Sequence, residues 1–140
     1  MEEGLECGPN CTRRGWEYVG AKGSVEGYST NLFSSRAEAV INNHDSAAHG
    51  LFLYLAYQGV HSPRESPTLY SDPYLTTIKN GQRREFAGMI SALDEGLGNV
   101  TAKLRDKSML DDTLFIVTTG SAAPPPRSST AQLILSILTR

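Results

Sequence analysis

The chain has 140 residues, which is the size of one ordinary domain and long enough to bury a hydrophobic core. Its hydrophobic content of 39% and charged content of 20% are typical of a folded globular protein rather than a disordered one. The net charge of −2 gives no electrostatic reason to expect nucleic acid or acidic membranes as partners. The longest apolar run, residues 51–57, is far short of the ~20 residues that span a bilayer.

The N-terminal segment is rich in glycine and lacks periodic apolar positions, so we predict a loop over residues 1–28. Its acidic start, Met1–Gly4, differs from a secretory signal. Taken literally the chain is cytosolic and soluble, and taken as a fragment it leaves the compartment open. Cys7 and Cys11 have no second Cys or His pair at metal-ligand spacing soon after them. A disulfide, between the two or to cysteines of a longer chain, is therefore favoured over a metal site.

The first regular element is a predicted helix that begins at Ser29 or Thr30, either of which suits an N-cap, and runs to about Asn43. Asn, Asp, Ser and Gly then break the helix, because their side chains or backbones favour turns. His44 and His49 fall in this loop. We interpret both as solvent-facing loop residues rather than ligands.

The central part of the chain alternates strand and helix signals. The apolar run over residues 51–57 predicts a strand buried on both faces, and three prolines keep residues 62–78 irregular or only briefly helical. Apolar residues at spacings of three and four predict a long amphipathic helix from about Gln82 to Arg105. A second buried strand is predicted over residues 114–119. This order favours an α/β protein with parallel strands between helices.

Ligands of such sheets collect at the carboxyl ends of the strands. His61 and Pro63 follow the first predicted strand, in the sequence "GVHSP", and "TTGSAA" follows the second. On the residues alone, His61 is either a ligand-binding side chain or a group that satisfies a strand-end carbonyl. Beyond Gly120, "SAAPPPRSST" predicts an extended linker, and "AQLILSIL" is a short apolar end that needs a surface to cover or is a sticky tail.

Four blocks, in order, carry a resemblance to a known family: "YSTNLFSSRA", "LFLYLAYQGVHSP", "RREFAGMISALDEGLGNVTAKL" and "TLFIVTT". Over about residues 28–119 the chain resembles the arylsulfatases, most closely the group of arylsulfatase B and its relatives. The resemblance implies part of an alkaline-phosphatase-like α/β domain. In that case residues 1–28 are its loop-rich N-terminal segment, residues 29–119 are a core fragment, and residues 120–140 are a divergent tail.

The resemblance also implies the chemistry, which is hydrolysis of sulfate esters of sugars or aryl groups. The family's nucleophile is a formylglycine made from the Cys of a Cys-x-Pro-x-Arg motif, and a calcium ion held by Asp and Asn oxygens polarises the sulfate. His61 in "VHSP" matches the family's substrate-contacting histidine, with Pro63 fixing the turn that aims it. An imidazole suits this role because it can donate a hydrogen bond to a sulfate or leaving oxygen near neutral pH.

Other parts of the family's site do not carry over. Where the second strand end should supply an Asp and an Asn to calcium, the chain has Gly120 and Ser121, so no metal ligand is assigned. Cys11 begins "CTRRG", with Arg13 where the nucleophile motif needs Pro or Ala and Gly15 where it needs Arg. We therefore reject Cys11 as a formylglycine site and assign no catalytic residue.

The leading hypothesis is an arylsulfatase-type sulfuric ester hydrolase represented by a piece that is inactive alone and does not bind calcium. The alternative is a non-catalytic interaction protein that pairs with a full-length sulfatase, and a third is a fragment without a stable fold. Full-length relatives of this kind are expected in the lysosome or outside the cell. Asn99-Val100-Thr101 is a glycosylation sequon on the polar side of the long helix, which makes Asn99 a predicted glycosylation site.

Overall fold

The computed structural model describes residues 12–14, 17–19, 27–61, 63–119 and 133–139. The three helices are α1 (Ser29–Asn43), α2 (Thr68–Ser71) and α3 (Gly81–Asp106), and 3-10 turns cover Asp72–Tyr74 and Leu110–Asp112. The five strands are β1 (Thr12–Arg14), β2 (Glu17–Val19), β3 (Phe52–Ala56), β4 (Thr113–Thr119) and β5 (Leu133–Thr139). Among the described residues no helix is long and apolar enough to cross a membrane.

Both long helices match their predicted bounds closely, although the N-cap of α1 differs from the prediction. Tyr28, not Ser29 or Thr30, occupies the N-cap of α1, and Thr30 is buried inside the first turn. The start of α3 is capped by Asn80, whose side-chain oxygen accepts a hydrogen bond of 3.0 Å from the Arg83 amide. The short α2 and the 3-10 turn after it agree with a proline-rich segment that is only briefly helical.

The main sheet has three strands in the order β3-β5-β4, and both ladders are antiparallel. The predicted pairing of parallel strands is therefore wrong for the described residues. Because β3 and β4 are each antiparallel to β5, they point in the same direction, with β5 inserted between them. The apolar C-terminal segment, expected to need a surface to cover, thus lies at the centre of the sheet. A second, two-stranded antiparallel ladder joins β1 to β2, within the segment predicted to be loop.

The hydrophobic core lies between one face of the main sheet and the helices. Leu135 and Ile137 of β5 are completely buried there, together with Ile41 of α1 and with Val100 and Leu104 of α3. Burial removes the apolar surface of these side chains from water, which is the largest favourable contribution to the folding of a domain of this size.

The prediction that β3 and β4 are buried on both faces is wrong. Phe52 and Tyr54 of β3 and Leu114 and Ile116 of β4 are exposed, since the helices cover only one face of the sheet among the described residues.

The helices α1 and α3 pack in close contact at Gly96 of α3. A Cβ atom placed on Gly96 of α3 would overlap the Ser34 hydroxyl of α1 and would lie 3.2 Å from the Tyr57 hydroxyl. Ser34 Oγ donates a hydrogen bond of 2.8 Å to the Thr30 carbonyl and lies 2.9 Å from the Tyr57 hydroxyl oxygen. The helices can approach this closely because Gly96 has no side chain, and the approach fixes the start of α1 relative to the end of β3.

Candidate functional site

His61 lies five residues after the last residue of β3, with its side chain exposed. It lines a pocket of about 450 Å³, which we call the His61 pocket. The pocket is formed by the first turn of α1, the loop after β3, the segment before α2 and one residue of α3. Its lining residues are Tyr28, Ser29, Thr30, Gln58, Gly59, His61, Pro63, Glu65, Ser66 and Met89.

The backbone that leads to His61 is held against the central strand. The Tyr57 amide donates to the Leu133 carbonyl at 2.9 Å, and the Leu133 amide donates to the Gly59 carbonyl at 3.2 Å. Val60 is buried in the core directly before His61. These hydrogen bonds and the burial of Val60 hold the backbone that precedes His61 in place at the carboxyl end of β3.

The first turn of α1 forms another part of the pocket lining. Tyr28 is in the N-cap and makes no side-chain capping bond, the first turn has no acidic residue, and Thr30 is only 1% exposed. The amides of Asn31 and Leu32 both donate to the Tyr28 carbonyl at 3.0 Å, so only the first two amides of α1 lack an acceptor within the helix. The helix dipole gives this end a partial positive charge. An anion beside His61 would therefore be favoured by two groups, the imidazole and the start of α1.

The phenol of Tyr28 adds a neutral donor to the same lining. Burial raises the pKa of Tyr28 above its usual 10.0; hydrogen bonding to Thr30 opposes this shift, and the charge of Glu85 adds a smaller increase. The phenol therefore stays protonated near neutral pH. Glu85 itself accepts hydrogen bonds from the amide and the hydroxyl of Ser66, at 3.0 and 2.8 Å, and so holds the segment before α2 against α3.

One residue of the lining, Glu65, has a carboxylate that would repel an anion. Glu65 is exposed, so water screens its charge. The chemistry that the His61 pocket supports best is hydrogen bonding to an oxygen-rich anion by an imidazole, a phenol and helix-terminal amides.

The carboxyl ends of β3 and β4 lie at the same edge of the sheet. Ala56 and Thr118 are both opposite Ile134 of β5, so the two ends stand two strand spacings apart, roughly 10 Å. Thr118 and Thr119 are exposed there. Gly120 and Ser121, which follow them, lie outside the described residues, as do Cys7 and Cys11.

The other two histidines lie at the opposite end of α1 from the pocket. His44 is the C-cap of the helix, and its Nε2 lies 2.9 Å from the carbonyl oxygen of His49. A helix of 15 residues is about 22 Å long. His49 is exposed, as the interpretation of a solvent-facing loop residue expects, whereas His44 is half-buried at the end of the helix.

A metal ion of the kind that the family resemblance implies needs a cluster of oxygen ligands. Within the described ranges, no group of three His, Cys, Asp or Glu side chains is close enough to hold a metal ion. We therefore derive no step that depends on calcium from these residues.

Sequence reasoning missed a second, smaller pocket between α1 and α3. It has a volume of about 260 Å³ and is lined partly by Glu38, Glu95 and Asn99. The Tyr70 hydroxyl lies beside it, donating to Glu95 Oε1 at 3.2 Å and accepting from Asn31 Nδ2 at 3.1 Å. The only signal for it in the sequence is the polar stripe of α3, which contains Glu95 and Asn99.

Comparison with known proteins identifies the family. A family model described as Sulfatase matches residues 5–121, which is most of the chain. The chain belongs to the sulfatase family. It is 37% identical over 98 residues to Arylsulfatase J of Mus musculus, and the match covers 70% of this chain but 16% of that protein. The resemblance to the arylsulfatases is thus confirmed, and the sulfatase chain described here spans about a sixth of the length of this relative.

Family membership implies an alkaline-phosphatase-like α/β fold and sulfuric ester hydrolase chemistry for the family as a whole. The family match includes α1, β3, α3 and β4 and ends at residue 121. The central strand β5 lies beyond it. His61 and every other residue that lines the His61 pocket fall within the matched range.

Proposed function

We propose that this sulfatase chain is a piece of the catalytic domain of an arylsulfatase that hydrolyses sulfate esters of sugars or aryl groups, as in arylsulfatase B and its relatives. In this proposal His61 binds the sulfate ester, and the 140-residue chain is inactive alone. The observation that carries the proposal is the position of His61 beside the first turn of α1, in a pocket of about 450 Å³ at the carboxyl end of β3.

His61 would contribute most when the ester bond breaks. Negative charge then develops on the leaving oxygen, and an imidazolium donates a hydrogen bond or a proton to that oxygen more strongly than to the intact ester. The start of α1 would stabilise the sulfate oxygens through its amides and dipole. Fixed groups of this kind lower the barrier because they need little reorganisation during the reaction.

The inactivity of the isolated chain follows from the residues that it does not supply. Arg13 and Gly15 depart from the formylglycine motif, so Cys11 provides no nucleophile. Gly120 and Ser121 stand where the family's Asp and Asn ligands would be, so the chain offers no calcium site at that strand end. A histidine without a nucleophile cannot transfer the sulfuryl group. When bound in a full-length relative, the calcium ion supplies Lewis-acid polarisation of the sulfate.

The compartment is also a proposal. A full-length relative would act in the lysosome or outside the cell, where Asn-linked glycans occur. Asn99 lies on α3 with its side chain exposed, which leaves room for a glycan. Val100 between the two sequon residues is completely buried, and Thr101 Oγ1 donates to the Leu97 carbonyl at 2.8 Å. Transfer of a glycan to Asn99 would therefore precede folding of this helix.

The experiment that tests the proposal is a chimera. Residues 28–119 replace the aligned segment of mouse Arylsulfatase J, and hydrolysis of an aryl sulfate is measured beside the purified 140-residue chain. We expect turnover in the chimera and none in the isolated chain. A folded chimera without any turnover, or turnover by the isolated chain, would contradict the proposal.

A further inference from the structure

The segment that carries His61 is short and is held at both of its ends. It runs from His61 to Ser66, and we call it the His61 loop. The loop supplies His61, Pro63, Glu65 and Ser66 to the lining of the His61 pocket. Val60, directly before the loop, is buried in the core. Five residue steps span at most about 18 Å, so the position of Ser66 restricts the positions that His61 can adopt.

The far end of the His61 loop is fixed by Glu85 of α3. Glu85 Oε2 accepts a hydrogen bond of 3.0 Å from the Ser66 amide and one of 2.8 Å from the Ser66 hydroxyl. A carboxylate is a stronger acceptor than a neutral group, and both residues are half-buried, so water competes less for these bonds. Another contact between the loop and α3 is more exposed, since Arg64 Nη1 donates to Gln82 Oε1 at 3.2 Å in contact with water.

Gly88 allows the His61 loop to approach α3 closely enough for Glu85 to reach Ser66. Gly88 lies three residues after Glu85, on the same side of the helix. A Cβ atom placed on Gly88 would overlap the Ser66 hydroxyl oxygen and would lie 3.1 Å from both Ser66 Cβ and the Ser71 amide nitrogen. Pro67, the residue after the loop, is buried. Ser66 is therefore held by packing as well as by hydrogen bonds.

The Glu85 carboxylate is also close to a second part of the pocket lining. Burial is the main cause of the raised pKa of Tyr28, and the charge of Glu85 adds to it, so the carboxylate lies near the phenol. Tyr28 and Ser66 both line the pocket that contains His61, whereas Glu85 is not among its lining residues. Glu85 thus lies behind the lining, where it can act on a bound ester only through the residues that it holds.

From these contacts we propose that Glu85 is a positioning residue for His61: by holding Ser66 against α3, it fixes the His61 loop so that the imidazole meets the leaving oxygen of the sulfate ester. This role rests on the proposed function, in which His61 binds the ester. Release of Ser66 would leave the loop attached at one end only. A displacement of about 1 Å at a reacting group can lower a rate by about a hundredfold.

The test uses the sulfatase chimera that carries residues 28–119, because this range includes both Glu85 and the His61 loop. We expect Glu85→Ala to lower kcat with an aryl sulfate by about ten- to a hundredfold and to change KM by less than about threefold. Glu85→Gln should keep kcat within about threefold of the parent chimera, since its amide oxygen can accept both hydrogen bonds from Ser66. Gln82→Ala is the matched control, because it removes the exposed contact between α3 and the same loop, and it should leave kcat unchanged.

A double-mutant cycle with His61→Ala separates positioning from a general loss of folded protein. In the His61→Ala background, Glu85→Ala should lower kcat by less than about twofold, since no imidazole is left to position. Unfolding would lower kcat in both backgrounds alike. Should Glu85→Ala fail to fold, Glu85→Asp carries the test. Its carboxylate is one methylene short of Ser66, so kcat should fall by about three- to tenfold, again only when His61 is present.

Circular dichroism at the assay temperature establishes which variants are folded. Folded Glu85→Ala or Glu85→Asp chimeras with the parent kcat would overturn the positioning role, and so would an equal loss of kcat with and without His61. If His61→Ala lowers kcat and the Glu85 variants do not, the positioning role alone fails. If His61→Ala itself leaves kcat unchanged, the proposed function fails and the role of Glu85 fails with it.

Discussion

Gly96→Ala should destabilise the protein even though alanine is the better helix former. The added methyl group would overlap the Ser34 hydroxyl of α1 and would lie 3.2 Å from the Tyr57 hydroxyl oxygen, where α1 packs against α3. Ser34 cannot move freely, because its Oγ donates to the Thr30 carbonyl at 2.8 Å and contacts the Tyr57 hydroxyl at 2.9 Å.

The expected change in the free energy of unfolding has three contributions. Overpacking of a close contact costs about 1–3 kcal/mol, and loss of a buried hydrogen bond costs about 1–3 kcal/mol. The higher helix propensity of alanine relative to glycine offsets about 1 kcal/mol of this cost. Gly96→Ala should therefore lower the free energy of unfolding by about 1–5 kcal/mol, which for a chain of this length lowers the Tm by roughly 3–20 °C.

Urea denaturation followed by circular dichroism measures the effect. Gly98 provides the matched control on the same helix, since a Cβ placed there has no atom within 4 Å. Gly98→Ala should raise the free energy of unfolding by about 0.5–1 kcal/mol. Combining Gly96→Ala with Ser34→Ala, which removes the overlapping oxygen, should cost less than the sum of the two single changes. Equal stability of the Gly96 and Gly98 variants, or simple additivity with Ser34→Ala, would refute the packing argument.

The purified 140-residue chain should not hydrolyse an aryl sulfate with or without added calcium, because Cys11 lies outside a formylglycine motif; calcium-dependent turnover would count against this. Asn99→Gln should abolish a glycosidase-sensitive mass when the chain is expressed through a secretory pathway, and an unchanged wild-type mass would argue against the site. Stability should fall as the pH rises above 10, since burial raises the pKa of Tyr57 above its usual 10.0 and the unfolded chain loses its proton first. Tyr57→Phe should reduce that fall in urea titrations without abolishing it, since burial also raises the pKa of Tyr28 and of Tyr70; the same slope in both proteins would exclude Tyr57 as one of its sources.

The helices could be predicted from the sequence because their signals are local. The polar break after Asn43 ends α1, and Asn80 caps α3 beside a regular apolar spacing. The apolar residues at spacings of three and four that predict α3 include Ile90, which is 47% exposed in the structure. Met89 and Ala92 are buried instead, because the side of α3 that packs is set by the position of α1 and α2.

The sheet could not be predicted in the same way. A continuous apolar run has no alternation that would reveal the exposure of Phe52 and Tyr54, so β3 appeared to be buried on both faces. Strand order depends on contacts between segments far apart in the chain, and no local pattern indicates that residues 133–139 pair with both β3 and β4.

His61 could be predicted as part of the candidate site, whereas the other residues of the pocket lining could not. The rule that ligands lie at strand carboxyl ends indicated His61, and the structure adds the pocket around it. The first turn of α1 could not be predicted as part of the pocket lining, because no local pattern in the sequence indicates that Tyr28 and Thr30 lie near His61. Their approach to His61 depends on the close packing of α1 against α3.

The most direct test of the role of His61 is the kcat of the sulfatase chimera that carries residues 28–119, measured with an aryl sulfate for His61→Ala and His44→Ala. We expect His61→Ala to lower kcat by about a hundredfold, the usual loss when one charge-stabilising group is removed from an active site. His44→Ala should leave kcat unchanged, since His44 is at the opposite end of α1 from the pocket. Equal kcat values for the two folded variants would contradict the assignment of His61 to the sulfate ester.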